Sequence, residues 1–243
     1  MVQLQFVGSG DAFGSGGRFQ ACLVLSGAGA PLLMDCGVTS LVAMKRASVD
    51  PSTIGAVLIS HLHGDHFGGI PFLVLDGQFS RRELPLLIAG PPGVEARMKA
   101  AMEVLYPGSS TVERRFPVSY VEWQDRAGAT LGDCTVTPYE VDHASGAPAY
   151  ALRVTYGGRT VAYTGDTAWC ESLVDAARGA DLFVVEGYMH SRQVKFHLDV
   201  ATLERERPRI ECPRIILTHM SNDVLQNQTP GFERAADGLV VEV

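Results

Sequence analysis

The segment His61-Leu62-His63-Gly64-Asp65-His66 directly follows the apolar run Ala56–Ile59 and decides how this chain is interpreted. Loops that follow buried strands often carry catalytic and binding residues. The first two histidines are two residues apart, so on extended chain their side chains point the same way. Gly64 is expected to permit a sharp turn that brings the aspartate and the last histidine to a neighbouring position. Because imidazole and carboxylate bind zinc, manganese and iron, the segment predicts ligands for two adjacent metal ions.

Further ligands must come from elsewhere, because a catalytic metal takes about three protein ligands and keeps a position for water. Three downstream residues, His143, Asp166 and His219, each lie just past an apolar, strand-like run. Any one of them could be a capping or surface residue. Their repeated placement at strand ends favours the interpretation that they join the same site.

Strand-like and helix-like segments alternate through the whole chain, which predicts an α/β or α+β class. The turn-rich and charged segment Tyr106–Pro117 is interpreted as a flexible connection and as the boundary between two halves of one fold. Four segments have helix-forming composition and helical spacing of apolar residues: Val38–Arg46, Gly93–Leu105, Glu171–Arg178 and Val200–Arg207.

Length, charge and cysteine content limit the classes of protein to which this chain can belong. A chain of 243 residues that is 46% hydrophobic suits one large domain, residues 1–243. The net charge of -7 argues against a broad nucleic-acid footprint. No apolar stretch approaches the roughly 20 residues of a membrane helix, and no leader pattern is found, so a cytoplasmic location and no membrane partner are expected. The five cysteines form no CxxC pair, which argues against a disulfide framework or a zinc knuckle.

The order of the motifs resembles that of the metallo-β-lactamase superfamily: HxHxDH, then an isolated histidine, a Gly-Asp pair and a Thr-His pair. The resemblance covers nearly the whole chain and extends to Gly8-Ser9-Gly10, Met34-Asp35-Cys36-Gly37 and Asp237-Gly238. It implies a four-layer αβ/βα sandwich, in which two β-sheets pack face to face between outer helices.

The resemblance also implies a ligand set for two divalent cations, zinc in the first place, with manganese or iron as alternatives. One cation is assigned to His61, His63 and His143, the other to Asp65, His66 and His219, with Asp166 bridging. Relatives that cleave β-lactams typically have cysteine in place of Asp166. The aspartate favours a hard, oxygen-rich site and disfavours lactamase activity.

The Asp142-His143 context resembles the phosphodiesterase branch of this superfamily, which includes ribonuclease Z and small cyclic-phosphate phosphodiesterases. In that branch a glutamate and a histidine that match Glu186 and His197 lie beside the leaving group. We therefore expect His197 to donate a proton, Glu186 to orient it, and Asp65 to be the third catalytic residue. The alternative for His197 is a capping role at the start of the helix after it.

The expected function is a hydrolase that uses a hydroxide bridged by two metals to cleave a small or cyclic phosphodiester. In ribonuclease Z a tRNA-gripping arm is inserted between the third-motif histidine and the bridging aspartate. Between His143 and Asp166 this chain has room for only a strand pair. Nucleic acid is therefore not the favoured partner, although a ribonuclease Z-like activity is the main alternative.

Other classes stay open on the sequence alone. A lactone, thioester or sulfate-ester hydrolase would use the same metals, and a scaffold protein could keep the fold without turnover. A redox di-iron protein is disfavoured because those relatives have glutamate at the position of His63. A homodimer is compatible with the sequence.

Two further features could contact substrate. The glycine loop Gly14-Ser15-Gly16-Gly17-Arg18 is predicted at the rim of the site, and its lack of a Walker lysine argues against an ATP-binding loop. The arginine groups Arg81-Arg82, Arg114-Arg115 and Arg205–Arg209 could bind phosphate, although charge runs are more often solvated faces.

Overall fold

Two seven-stranded β-sheets form the centre of the molecule in the computed structural model, which describes residues 1–243. The strands of the first sheet are β1 (Gln3–Gly8), β2 (Cys22–Ser26), β3 (Leu32–Met34), β4 (Ala56–Leu58), β5 (Leu86–Gly90), β6 (Val118–Glu122) and β14 (Val240–Glu242). The strands of the second sheet are β7 (Ala129–Leu131), β8 (Cys134–Val141), β9 (Ala149–Tyr156), β10 (Arg159–Tyr163), β11 (Leu182–Glu186), β12 (Ile215–Thr218) and β13 (Glu233–Arg234).

Each sheet has an antiparallel part and a parallel part. Neighbouring strands are parallel from β3 to β6 and from β10 to β13. Strands β4, β11 and β12 are buried along their whole length, as expected for parallel strands with near-continuous apolar sequence. The carboxyl ends of such strands are where ligands usually bind, because the loops that follow the strands converge there.

Seven α-helices flank the two sheets. They are α1 (Ser40–Arg46), α2 (Gly64–Phe67), α3 (Ile70–Phe79), α4 (Val94–Leu105), α5 (Ser172–Ala177), α6 (Val200–Glu206) and α7 (Asn222–Gln226). Met44, Leu73 and Met98 join the helices of the first half to the apolar outer face of the first sheet. Leu173 and Leu203 do the same for the second sheet.

A third apolar cluster lies between the sheets and takes residues from both. It includes Phe6 and Leu25 of the first sheet and Leu152, Tyr156 and Val184 of the second. The layers therefore run helix, sheet, sheet, helix. The predicted four-layer sandwich is confirmed.

The helix α3 was absent from the sequence prediction. Apolar side chains lie on nearly all its sides, since Ile70, Leu73 and Val74 are buried while Phe79 is exposed. A helix without a polar face has no clear 3.6-residue pattern, so periodicity does not reveal it. Pro71 in its first turn is the one local sign that a helix begins there.

The predicted boundary between the halves at Tyr106–Pro117 was wrong. That segment leads into β6, which still pairs with β5 in the first sheet. The chain passes to the second sheet only between β6 and β7. The short strand β6 is only partly buried, so its sequence lacks the apolar run that would have marked it as a strand.

No helix in the structure is both long enough and apolar enough to cross a membrane.

Candidate metal centre

The segment 61–66 begins just beyond β4 and turns into the short helix α2. His61 and His66 are completely buried. The backbone N–H of His66 donates to the carbonyl of His63 at 3.0 Å, which closes the turn. Gly64 has ordinary helical backbone, and a Cβ added there would meet no atom within 4 Å. The predicted turn is present, but the start of a helix makes it, so it does not depend on the backbone freedom of glycine.

The downstream candidates also follow strand ends. His143 lies just after β8, Asp166 after β10 and His219 directly after β12. All three are buried, with exposures of 8%, 2% and 4%. The parallel pairing of β10, β11 and β12 brings the last two residues to one edge of the second sheet.

The structure brings all seven predicted ligands together in two adjacent sets. Within each set the candidate ligand atoms lie within 4.8 Å of one another; the sets are His61, His63 and His143, and Asp65, His66, Asp166 and His219. His143 Nε2 lies 3.0 Å from His63 Nδ1, and His66 Nε2 lies 3.4 Å from His219 Nε2.

Asp166 lies between the two sets. Its Oδ1 atom is 3.2 Å from His66 Nε2 and 3.5 Å from His219 Nε2. Its Oδ2 atom is 3.9 Å from His61 Nε2. The two oxygens of one carboxylate therefore face different sets of ligands, as a bridging ligand requires.

Several polar atoms of the centre have no hydrogen-bond partner in the protein, as expected for atoms that bind metal ions. His61 Nε2, Asp166 Oδ1 and His219 Nδ1 are buried without any hydrogen-bond partner. A buried polar atom without a partner is unfavourable, and imidazole nitrogens that face each other can share at most one proton. Divalent cations would bind His61 Nε2 and Asp166 Oδ1, whereas His219 Nδ1 points away from the ligands toward Glu186 Oε1 at 3.7 Å.

Burial and neighbouring charges set the protonation of the ligands. Burial alone would raise the pKa of Asp166, but His219 and His66 lower it well below its usual range, so the carboxylate is ionised. Burial lowers the pKa of His61 well below its usual range, so that imidazole is neutral. An ionised carboxylate and a neutral imidazole are the forms that bind metal. Burial opposes protonation of His66 and His219, but the neighbouring carboxylates raise the pKa of both, so metal binding would release a proton from each.

The carboxylate of Asp35 lies on the side of His66 away from the other ligands and orients its imidazole. It accepts hydrogen bonds from Ser60 N at 2.8 Å, Ser60 Oγ at 2.7 Å and Tyr163 Oη at 2.8 Å, and it pairs with His66 Nδ1 at 2.7 Å. His66 Nε2 is thereby directed to the centre. The sequence prediction included Asp35 in a motif without a role of its own, and it missed Ser60 and Tyr163. A polar residue at the end of the buried strand β3 was the available signal.

Glu186 and His197 form a pair beside the centre. Glu186 is completely buried, and its Oε1 atom lies 2.5 Å from His197 Nδ1. Its Oε2 atom accepts from Thr167 N at 2.8 Å and from Leu198 N at 3.2 Å. His197 Nδ1 is 4.0 Å from Asp166 Oδ2.

His197 does not cap the helix that follows it, because another residue has that role. Helix α6 begins after Asp199, whose side chain accepts from Thr202 N at 2.8 Å. His190 lies apart from the metal-facing groups, since its Nε2 atom contacts the carbonyl of Gln228 at 3.2 Å.

The glycine loop lies at a cavity next to the centre. Phe13 and Ser15 line this cavity of about 660 Å³ together with Tyr188 and Arg192. The Tyr188 ring packs on the ring of His197, with centroids 4.7 Å apart. The cavity therefore adjoins the metal-facing residues, consistent with a loop at the rim.

One arginine of these groups, Arg82, does not face a site. The guanidinium of Arg82 is buried and donates to the backbone carbonyls of Leu84 at 2.7 Å, Pro51 at 3.1 Å and Pro85 at 3.0 Å. Arg82 is a structural residue, which contradicts a role in phosphate binding.

Known proteins resemble this chain in fold and in sequence. The metallo-β-lactamase fold protein YhfI from Bacillus subtilis superposes with a TM-score of 0.80 at 22% identity, covering 99% of this chain and 98% of that chain. Ribonuclease Z of Methanosarcina acetivorans is 24% identical, over 95% of this chain and 91% of the relative. The uncharacterized protein Rv1339 of Mycobacterium tuberculosis is 33% identical, over 87% of this chain and 80% of the relative.

A family model described as Anti-Pycsar protein Apyc1 matches residues 2–238. Together with the clustered histidines and aspartates, these relatives support a metal-dependent hydrolase in the ribonuclease Z-like, phosphodiesterase branch of the metallo-β-lactamase superfamily. Because the family model covers nearly the whole chain, the protein belongs to the family described as Anti-Pycsar protein Apyc1.

Proposed function

We propose that this protein is a dinuclear metal-dependent phosphodiesterase that hydrolyses a small or cyclic phosphodiester. The observation that carries the proposal is the placement of the two Asp166 oxygens, which lie 3.2 Å from His66 Nε2 and 3.9 Å from His61 Nε2. A carboxylate between two ligand sets suits paired cations about 3.5–4 Å apart, an arrangement common in enzymes that cleave phosphodiesters.

In this proposal each ligand set holds one cation. His61, His63 and His143 would hold the first, Asp65, His66 and His219 the second, and Asp166 would bind both. When bound, divalent cations, most readily Zn²⁺ with Mn²⁺ or Fe²⁺ as alternatives, would activate water and stabilise negative charge on the phosphoryl oxygens.

His197 would donate a proton to the departing oxygen, an effect worth about 10²–10⁴ in rate. Its Nδ1 atom is occupied by Glu186 at 2.5 Å, so Nε2 is the nitrogen available to the leaving group. Burial would lower the pKa of His197, but the Glu186 carboxylate raises it above the ordinary value. The protonated form needed for donation is therefore favoured near neutral pH. Asp65, which is partly exposed, would also orient the attacking water.

The space around the centre supports a small substrate. Between His143 and Asp166 the chain forms only the antiparallel pair β9 and β10, joined by Gly157 and Gly158. No arm that could hold a tRNA projects from this position. The cavity of about 660 Å³ beside Tyr188 could hold the part of a small diester that does not react.

A ribonuclease Z-like endonuclease is the second candidate. It is favoured by the 24% identity to ribonuclease Z over 95% of this chain. The missing arm and the net charge of -7 weigh against it, because binding of RNA depends largely on cationic contacts to phosphates.

A substrate panel tests the proposal. Metal-replete protein should hydrolyse bis(p-nitrophenyl) phosphate or cyclic phosphodiesters faster than p-nitrophenyl phosphate, a β-lactam or precursor tRNA. Asp166→Ala serves as the control for contaminating activity, because it lacks the shared ligand. Efficient turnover of a lactone or a thioester, with no turnover of any phosphodiester, would contradict the proposal and leave the metal centre standing.

A further inference from the structure

The backbone of His219 is held in an unfavourable conformation. Its φ is 55°, in the left-handed region that residues with a Cβ rarely adopt. Such a conformation persists only where neighbouring groups hold it. The direction of the His219 imidazole, which faces Asp65 Oδ2 at 3.2 Å, therefore depends on the contacts of its backbone.

Ser9 makes the decisive backbone contact. Its carbonyl accepts from His219 N at 3.1 Å and from Thr218 Oγ1 at 3.4 Å. Ser9 is completely buried and directly follows β1 of the first sheet, whereas His219 follows β12 of the second. The contact therefore joins the two sheets at the metal centre.

Asp237, near the carboxyl end of the chain, holds Ser9 from the other side. Its Oδ1 atom accepts from Ser9 N at 2.9 Å and from Ser9 Oγ at 2.8 Å. Its Oδ2 atom accepts from Phe19 N at 2.8 Å. One carboxylate thus binds both Ser9 and Phe19. The Phe19 carbonyl in turn accepts from Gly10 N at 2.7 Å, in the peptide unit whose Ser9 carbonyl contacts His219.

We propose that Asp237 is a positioning residue for His219 and acts through Ser9. The inference rests on the proposed two-metal centre and assigns Asp237 to one of its two sites. The His61 and His143 imidazoles are oriented by other groups, Ser60 Oγ at 3.0 Å and the carbonyl of Phe196 at 2.9 Å. The loss of Asp237 should therefore weaken the cation bound by Asp65, His66, Asp166 and His219, and spare the other.

The test is a titration of metal-free protein with Zn²⁺ in competition with a chromophoric chelator, which resolves two binding steps. Asp237→Asn, which keeps one acceptor oxygen, should weaken one step by about 10–100-fold and leave the other unchanged, as for other partners of metal ligands. Ser9→Ala removes only the hydroxyl bond and should weaken the same step less. Saturating Zn²⁺ should restore the turnover number of Asp237→Asn.

Asp181→Asn is the matched control. Asp181 also accepts a backbone N–H, from Thr160 at 2.8 Å. It precedes the first residue of β11, at the end of the strand that is far from Glu186 and the metal centre. This variant should bind both cations like the wild type. Unchanged Zn²⁺ binding in Asp237→Asn and Ser9→Ala would overturn the inference, as would equal weakening of both steps. If the wild-type chain binds no metal, the proposed centre falls and this inference with it.

Discussion

At the scale of single residues, Asp166 and His219 make different contributions to the centre. Asp166 faces both ligand sets, whereas His219 belongs to one. We predict that Asp166→Ala lowers the occupancy of both cations and that His219→Ala lowers mainly one. Elemental analysis of dialysed protein, with circular dichroism to establish folding, measures the difference. Full occupancy of both sites in folded Asp166→Ala would exclude the bridging role.

His197 is predicted to act in catalysis without binding metal. His197→Gln should lower kcat by about 10²–10⁴-fold on diesters with alkyl leaving groups, which need a proton. The effect on p-nitrophenyl diesters should be small, because nitrophenolate leaves without protonation, and metal content should not change. His190→Gln is the matched control, since His190 lies outside the centre. A loss of metal in His197→Gln would instead make His197 a ligand.

At the scale of elements, the turn after β10 places Asp166 against the first sheet. Gly165 has φ 58°, and a Cβ there would meet Ser60 Cβ at 2.7 Å and Ser60 Oγ at 2.8 Å. Gly158, with φ 77°, has no atom within 4 Å of such a Cβ. Alanine substitutions at these two glycines therefore separate two losses of folding free energy. One comes from left-handed backbone and occurs at both positions, and the other comes from the close approach to Ser60 and occurs only at Gly165.

We predict that Gly158→Ala lowers the free energy of unfolding by only the left-handed penalty, about 1–2 kcal/mol. Gly165→Ala should lower it further and weaken metal binding, because displaced Ser60 would no longer hold Asp35 and His61. Urea denaturation of the metal-free proteins and Zn²⁺ titration test this. Equal destabilisation by the two substitutions would show that the approach of Gly165 to Ser60 is not limiting.

At the scale of the whole molecule, the proposed ligands come from both sheets. His61, His63, Asp65 and His66 follow β4, whereas His143, Asp166 and His219 follow strands of the second sheet. Bound cations would therefore tie the two sheets together. We expect about two metal ions per chain by elemental analysis of metal-replete protein.

Removal of the cations should lower Tm. Metal that binds only the folded state stabilises it by about 2.7 kcal/mol when the free concentration is 100 times Kd. Calorimetry with and without a chelator measures the change in Tm. This change should be small for Asp166→Ala, which lacks the shared ligand. A wild-type Tm that does not change on chelation would argue against cations that join the sheets.

Residue types and their short-range spacing predicted the α/β or α+β class and the candidate ligands, and the resemblance to the metallo-β-lactamase superfamily added the four-layer sandwich and the division of the ligands between two cations. The segment 61–66 and the strand-end positions of His143, Asp166 and His219 are local features of the chain. Their repeated placement at strand ends favoured a shared site, because loops after strands often carry binding residues. Their roles as ligands stay predictions for the experiments above.

Only the tertiary structure showed what orients those ligands. Ser9 and Asp237 are 228 residues apart, and the Asp35 carboxylate joins Ser60, His66 and Tyr163 from separate elements. Helix α3 likewise has no clear local pattern, because apolar residues such as Phe79 also occupy its exposed positions. The physical reason is the same in each case. Ligand chemistry resides in single side chains, whereas orientation comes from hydrogen bonds and packing between residues far apart in the chain, which local patterns do not encode.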